Sequence, residues 1–154
     1  MTGGSAPSIP GGADIQCRVL RSASQVITNL VVTPVSFDSV LADTSGMWSA
    51  GAPTRITIVY DGFYLVEAMV GFEVTVSVGG QGAQLFKNGS ATGFCCVGAS
   101  SAGSMEAGLP GLWAMPLVAG DYLELYVRQN SGGDKSLVAL EDATTTLGVT
   151  RVKG

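Results

Sequence analysis

Residues 54–78 read Thr54-Arg55-Ile56-Thr57-Ile58-Val59-Tyr60, then Asp61-Gly62, then Phe63-Tyr64-Leu65-Val66-Glu67-Ala68-Met69-Val70-Gly71-Phe72-Glu73-Val74-Thr75-Val76-Ser77-Val78. Two β-rich runs flank Asp-Gly, the dipeptide that most readily supplies the positive φ angles of a tight hairpin, so the stretch predicts a hairpin. In the second run Tyr64, Val66, Ala68, Val70 and Phe72 share one face, and Phe63, Leu65, Glu67 and Met69 share the other. Both faces are largely apolar. A half-buried strand has one polar face, so this one needs protein packed against both sides. One layer is the chain's own core. The other is expected to come from another copy of the same chain.

The chain has 154 residues, enough for one domain and too few for two ordinary ones. Only 13% of residues are charged, and 22 glycines punctuate a sequence rich in aliphatic and β-branched side chains, a composition that suits an all-β chain with many tight turns. The formal net charge is −4 with no basic cluster, so the phosphate-neutralising patch of a nucleic-acid binder is missing. Every apolar run is interrupted well short of the roughly 20 residues a spanning helix requires, so no membrane partner is expected. The start lacks the basic and apolar regions of a signal peptide, which predicts synthesis in a cytoplasm. The three cysteines, Cys17, Cys95 and Cys96, are odd in number. Adjacent cysteines bridge each other only through a strained ring, so all three are expected to be reduced, buried, small apolar residues.

Residues 1–15 form a Gly/Pro/Ser-rich arm with Ile9 as its anchor-like side chain, ahead of a domain over 16–154. Opening strands are predicted over 16–22 and 25–37, with Pro34 tolerable at an edge. Residues 41–53 read as a loop, with Trp48 plugging the edge of a core. Residues 79–82 read as a flexible turn and 83–87 as a short strand closed by Asn88-Gly89. Further strands are predicted over 94–99, 112–118, 122–129, 136–140 and 144–152. In the cleanest of them Leu123, Leu125 and Val127 face the core. About ten short strands with no helix between them predict a single-domain antiparallel β-sandwich or jelly roll.

Ser36-Phe37-Asp38, the loop Asp43-Thr44-x-Gly46-Met47-Trp48, Thr54-Arg55-Ile56-Thr57-Ile58 and Asp61-Gly62-Phe63-Tyr64-Leu65-Val66 are followed by Lys87-Asn88-Gly89, by Leu117-Val118-Ala119-Gly120-Asp121-Tyr122-Leu123-Glu124-Leu125 and by Thr146-Leu147-Gly148-Val149. In that order they resemble the superfamily shared by tumour necrosis factor and the complement globular head. The wording around the tryptophan loop is most similar to small bacteriophage virion members, found as decoration proteins, head fibres or tail-fibre tips. The resemblance implies a ten-stranded jelly roll that trimerises about a three-fold axis. It assigns Leu65, Glu67 and Met69 to the trimer interface, with Thr146, possible company from Gly148, and either Leu112 or Trp113. It assigns Tyr64, Val66, Ala68 and Val70 to the core. Glu67 would point at the axis three times over, so it requires an arginine or hydrogen-bond partner, a raised pKa or a wet position.

Histidine is absent, which removes the usual general base and the commonest metal ligand. The cysteine pair lies in an apolar setting that raises a thiol pKa, Glu67 and Glu124 share no cleft, and no glycine cluster leads into a phosphate-binding helix. Asp38, Asp43 and Asp61 sit on separate turns and form no oxygen cage for calcium. The chain is therefore expected to be no enzyme and to hold no cofactor or metal. The function that follows is a structural virion protein, a homotrimeric capsid decoration or head-fibre protein on the outer surface of a phage head. Its arm, through Ser5, Pro7, Ile9 and Pro10, would contact neighbouring subunits or the major capsid protein lattice. The alternative is a trimeric adhesive tip that recognises a host glycan or protein through residues 41–53, 100–109 and 131–134.

Overall fold

A computed structural model describes residues 14–73, 79–100, 108–137 and 144–152, without the side chains of 98–100 and 108–109. The arm residues Ser5, Pro7, Ile9 and Pro10 lie outside the described residues. So do 74–78 and 138–140, the far ends of two predicted strands. Ile15, assigned to the arm by its sequence neighbourhood, belongs to the core: it is 4% exposed, and its carbonyl accepts the Arg151 N–H.

The described residues form twelve strands and no helix: β1 (Gln16–Leu20), β2 (Gln25–Ile27), β3 (Thr33–Pro34), β4 (Ser39–Asp43), β5 (Ile56–Thr57), β6 (Gly62–Gly71), β7 (Gly79–Lys87), β8 (Ser90–Ser100), β9 (Gly108–Leu117), β10 (Tyr122–Gln129), β11 (Lys135–Leu137) and β12 (Thr146–Val152). The first sheet runs β4-β1-β12-β6-β9, and the second runs β3-β10-β7-β8 with β5 also on β10. All named pairs are antiparallel. The short pair β11-β2 closes one end, where Phe72 bridges to Leu137. Non-consecutive neighbours in both sheets, with the two faces packed on each other, make this a jelly-roll sandwich.

The core is the alternation of both sheets made visible. Tyr64, Val66, Ala68 and Val70 of β6, Cys17 and Val19 of β1, and Leu147 and Val149 of β12 point inward from the first sheet and are buried. Leu85 of β7 and Leu123, Leu125 and Val127 of β10 meet them from the second. Tyr64 satisfies its buried phenol by donating to the Tyr60 carbonyl at 2.7 Å. Burial holds that phenol above its ordinary pKa, against the opposing pull of Arg151. Pro34 sits in β3 at the edge of its sheet, where its missing N–H breaks no ladder.

Three sequence expectations change. Asp61-Gly62 makes no hairpin, because β5 pairs with β10 and β6 pairs with β12 and β9, so the chain crosses between sheets there. Neither residue adopts a positive φ. Asp61 works through its polar atoms instead: Oδ1 accepts the Ala119 N–H at 2.8 Å, and its carbonyl accepts Nε of Arg151 at 3.0 Å. The tight turn is at Asn88-Gly89, with φ of 52° and 79°, joining Lys87 directly to Ser90.

Residues 79–82 are strand rather than flexible turn: all four pair with β8, and Gln81 and Gly82 also pair with β10. Residues 39–43, partly read as loop, form β4. The cysteines are all free, but only Cys17 is fully buried. Burial pushes its thiol up to about 12, with Asp43 adding to the rise. Cys95 and Cys96 are consecutive in β8, so alternation sends Cys95 outward to an exposed position while Cys96 packs against the core.

A candidate self-association face on the first sheet

The outward face of the first sheet is organised in cross-strand rows. Gln16, Thr150, Leu65 and Ala114 form one row; Arg18, Gly148, Glu67 and Leu112 the next; Leu20, Thr146, Met69 and Pro110 a third. Val152, Phe63 and Pro116 extend the pattern at the Gly62 end of β6. Because residues of one row face the same side, these side chains form one surface. Leu112 is 70% exposed, Phe63 50%, Leu65 42% and Val152 40%. Scattered apolar side chains are ordinary on a surface, but a contiguous band of them on the face of a sheet marks an interaction site.

One charge pair interrupts the band. Arg18 Nη1 lies 3.4 Å from Glu67 Oε1, with both side chains about half exposed. Gly148 stands between their strands, and a Cβ there would come within 2.9 Å of Glu67 Oε1. The glycine thus leaves room for Glu67 to lie across β12 and reach Arg18. The partner that Glu67 was expected to require is present within the same subunit.

The structure gathers Leu65, Glu67, Met69, Leu112 and Thr146 on this one face, the last only 8% exposed between Leu20 and Met69. Trp113 does not join them. It opposes Val66 on the inward side and stacks on Phe94 with ring centroids 6.2 Å apart, because strand alternation gives the outward position to Leu112. Gly111, two residues earlier on the same side, lacks the Cβ that would meet the indole ring.

The turns at the sandwich ends are held by carboxylates. Asp43 accepts the N–H groups of Met47 at 2.9 Å and Trp48 at 3.0 Å, and Trp48 Nε1 donates to the Pro53 carbonyl, so the tryptophan loop is fixed against the core edge as expected. Asp121 receives Lys87 Nζ at 2.9 Å, Asn88 Nδ2 at 2.8 Å and the Val118 N–H. Burial raises its pKa, but these donors outweigh it and hold the carboxyl below its ordinary value. At Asp38 the opposing burial is likewise outweighed, by the N–H groups of Ser22 and Ala23 and by Arg21. Among the described residues no group of three Cys, Asp or Glu side chains is placed to hold a metal.

Known structures share this fold. Murine APRIL at pH 5.0 superposes with a TM-score of 0.65 at 17% identity, covering 91% of this chain and 100% of that one. The fold is that of the tumour necrosis factor and complement globular heads. Eiger TNF from S. frugiperda matches with a TM-score of 0.61 at 14% identity over 91% of this chain and 93% of that one. The globular domain of zebrafish complement 1qA protein matches with a TM-score of 0.59 at 13% identity over 90% and 98% of the two chains. No protein-family model matches the sequence, and no curated protein does.

Proposed function

We propose that this chain is a structural virion protein, a homotrimeric decoration or head-fibre protein on the outer surface of a phage head. The apolar outward face of the first sheet carries the self-association part of this reading. Leu65, Leu112 and Phe63 offer surface that a second and third copy would cover, and the resemblance to trimeric jelly rolls supplies the symmetry. Placement on a phage head is supported by the wording of the tryptophan loop and by loops built mostly of Gly, Ala and Ser, which are poor in the aromatic and charged groups of binding hot spots. Residues 1–14 would contact neighbouring subunits or the capsid lattice, with many modest contacts adding through multivalency.

Purified particles test this directly. The proposal expects hundreds of copies per particle, and a chain lacking residues 1–14 that remains a soluble trimer but no longer sediments with them. A handful of copies moves the protein to a fibre tip and overturns the decoration reading. Full attachment without residues 1–14 overturns the role of the arm.

A further inference from the structure

The outward face of the second sheet carries a trough that the proposed assembly does not use. It follows β7, whose outward positions include Gly80 and Gly82 and leave the floor low. Tyr126 and Arg128 of β10 rise on one side, and Cys95 and Val97 of β8 on the other. Two depressions, of about 290 and 230 Å3, are continuous through Gly82, Val97 and Arg128. Together they reach the lower end of the size range of ligand sites, roughly 300–1,000 Å3.

We propose that this trough binds a pyranose bearing a carboxylate, such as a hexuronic or sialic acid. The cation comes first. Arg128 is anchored by its Nε, which donates to the Leu30 carbonyl at 3.2 Å, and its guanidinium makes no ion pair among the described residues. An anchored guanidinium presents a planar fork that matches a carboxylate. The amides come next. Asn130 turns its Oδ1 to the Gly80 N–H and keeps Nδ2 beside the floor, while the Gln84 carboxamide makes no hydrogen bond among the described residues. These groups suit hydroxyls. Tyr126, steadied by Phe86 at 4.0 Å between ring centroids, gives an amphipathic wall and Val97, 79% exposed, an apolar one for the C–H side of a sugar ring. An extended peptide fits less well, because β7 is an interior strand with β10 on one side and β8 on the other and offers no sheet edge to which a strand could add.

The test is a titration of the isotopically labelled full chain, followed by amide chemical shifts, with sodium glucuronate and N-acetylneuraminate as probes and glucose and sodium sulfate as controls. Saturable shifts at Gly80, Gly82, Gln84 and Arg128 are expected with at least one acidic sugar, at least tenfold tighter than with glucose. Arg128→Gln should weaken binding at least tenfold. Gly82→Leu should abolish it by filling the floor, and the site accepts a Cβ, whose nearest neighbours would be the Cys96 carbonyl at 3.5 Å and Val97 Cγ1 at 3.6 Å. No saturable shift with either acidic sugar overturns the proposal. So does equal affinity for sulfate, which would reduce the site to an anion contact, or parental affinity in either folded variant. Because the trough lies on the second sheet, a Leu65→Asp chain should bind as the parent does, so the outcome is independent of how the subunits assemble.

Discussion

On the outward face of the first sheet Phe63, Leu65 and Leu112 stand in adjacent rows, and the one charge among them, Glu67, is matched by Arg18. The corresponding face of the second sheet holds Gln84, Glu124, Tyr126 and Arg128 on neighbouring strands. There Glu124 and Tyr122 are partnered locally, while Gln84 keeps its carboxamide open among the described residues: Thr54 donates to Glu124 Oε2 at 2.6 Å, and the Arg55 guanidinium lies 4.1 Å from the centre of the Tyr122 ring. Both sheets bury the same kind of residue against each other, so the difference is confined to what they show. Apolar side chains gain by being covered, and polar and charged groups gain little, so one face is suited to another copy of the chain and the other to solvent or a small polar ligand.

Substitutions on the two faces should therefore act on different quantities. The largest effect is expected from Leu65→Asp, which would place an unpaired charge in a covered interface at a cost of about 3–5 kcal/mol per copy. Light scattering should show single chains; an unchanged mass would mean that this face is not the interface. In the shared core, Leu85→Ala removes a fully buried side chain and should cost about 2–5 kcal/mol in denaturant unfolding, wherever assembly occurs. A loss well below that range would indicate that the two sheets can close over the gap. Tyr126→Ala should lose only the tilted ring contact with Phe86 and some covered area, about 1 kcal/mol, and leave the mass in solution unchanged. A change in mass would assign self-association to the wrong sheet. Smallest is Glu67→Gln, under about 1 kcal/mol in the stability of the isolated subunit, because the pair with Arg18 is half exposed and solvent-screened.

Acid should weaken the turns at the sandwich ends. The folded pKa values of Asp121 and Asp38 lie below their ordinary value of 3.8, so the stability they contribute is complete above that value and is lost as pH falls through the lower folded values. Asp121→Asn should flatten the fall of the unfolding midpoint in this acid range. An unaltered acid limb would mean that the Lys87 and Asn88 contacts contribute nothing to folding.

Much of this fold was legible because strand alternation is a local signal. The inward set of β6 and the three core leucine and valine positions of β10 follow from period two alone, and Asn88-Gly89 names its own turn. Asp61-Gly62 has equally good turn chemistry, yet the polar partners that direct its path, Ala119 and Arg151, are distant in sequence. Residues 79–82 looked like a turn because glycine lacks the side chains that reveal alternation, although all four pair with β8. The outward face of the first sheet was half legible: alternation put Leu65, Glu67 and Met69 on one side of β6, while Leu112 and Trp113 could be told apart only once the register against Val66 was known. The trough on the second sheet left no sequence signal, since its floor is an absence of side chains and its walls come from different strands.

Whether the first sheet is covered in solution decides the account. Multi-angle light scattering on the purified chain measures it. Three chain masses for the parent, falling to one in Leu65→Asp, are the predicted result. A parent that runs as a single chain would contradict it.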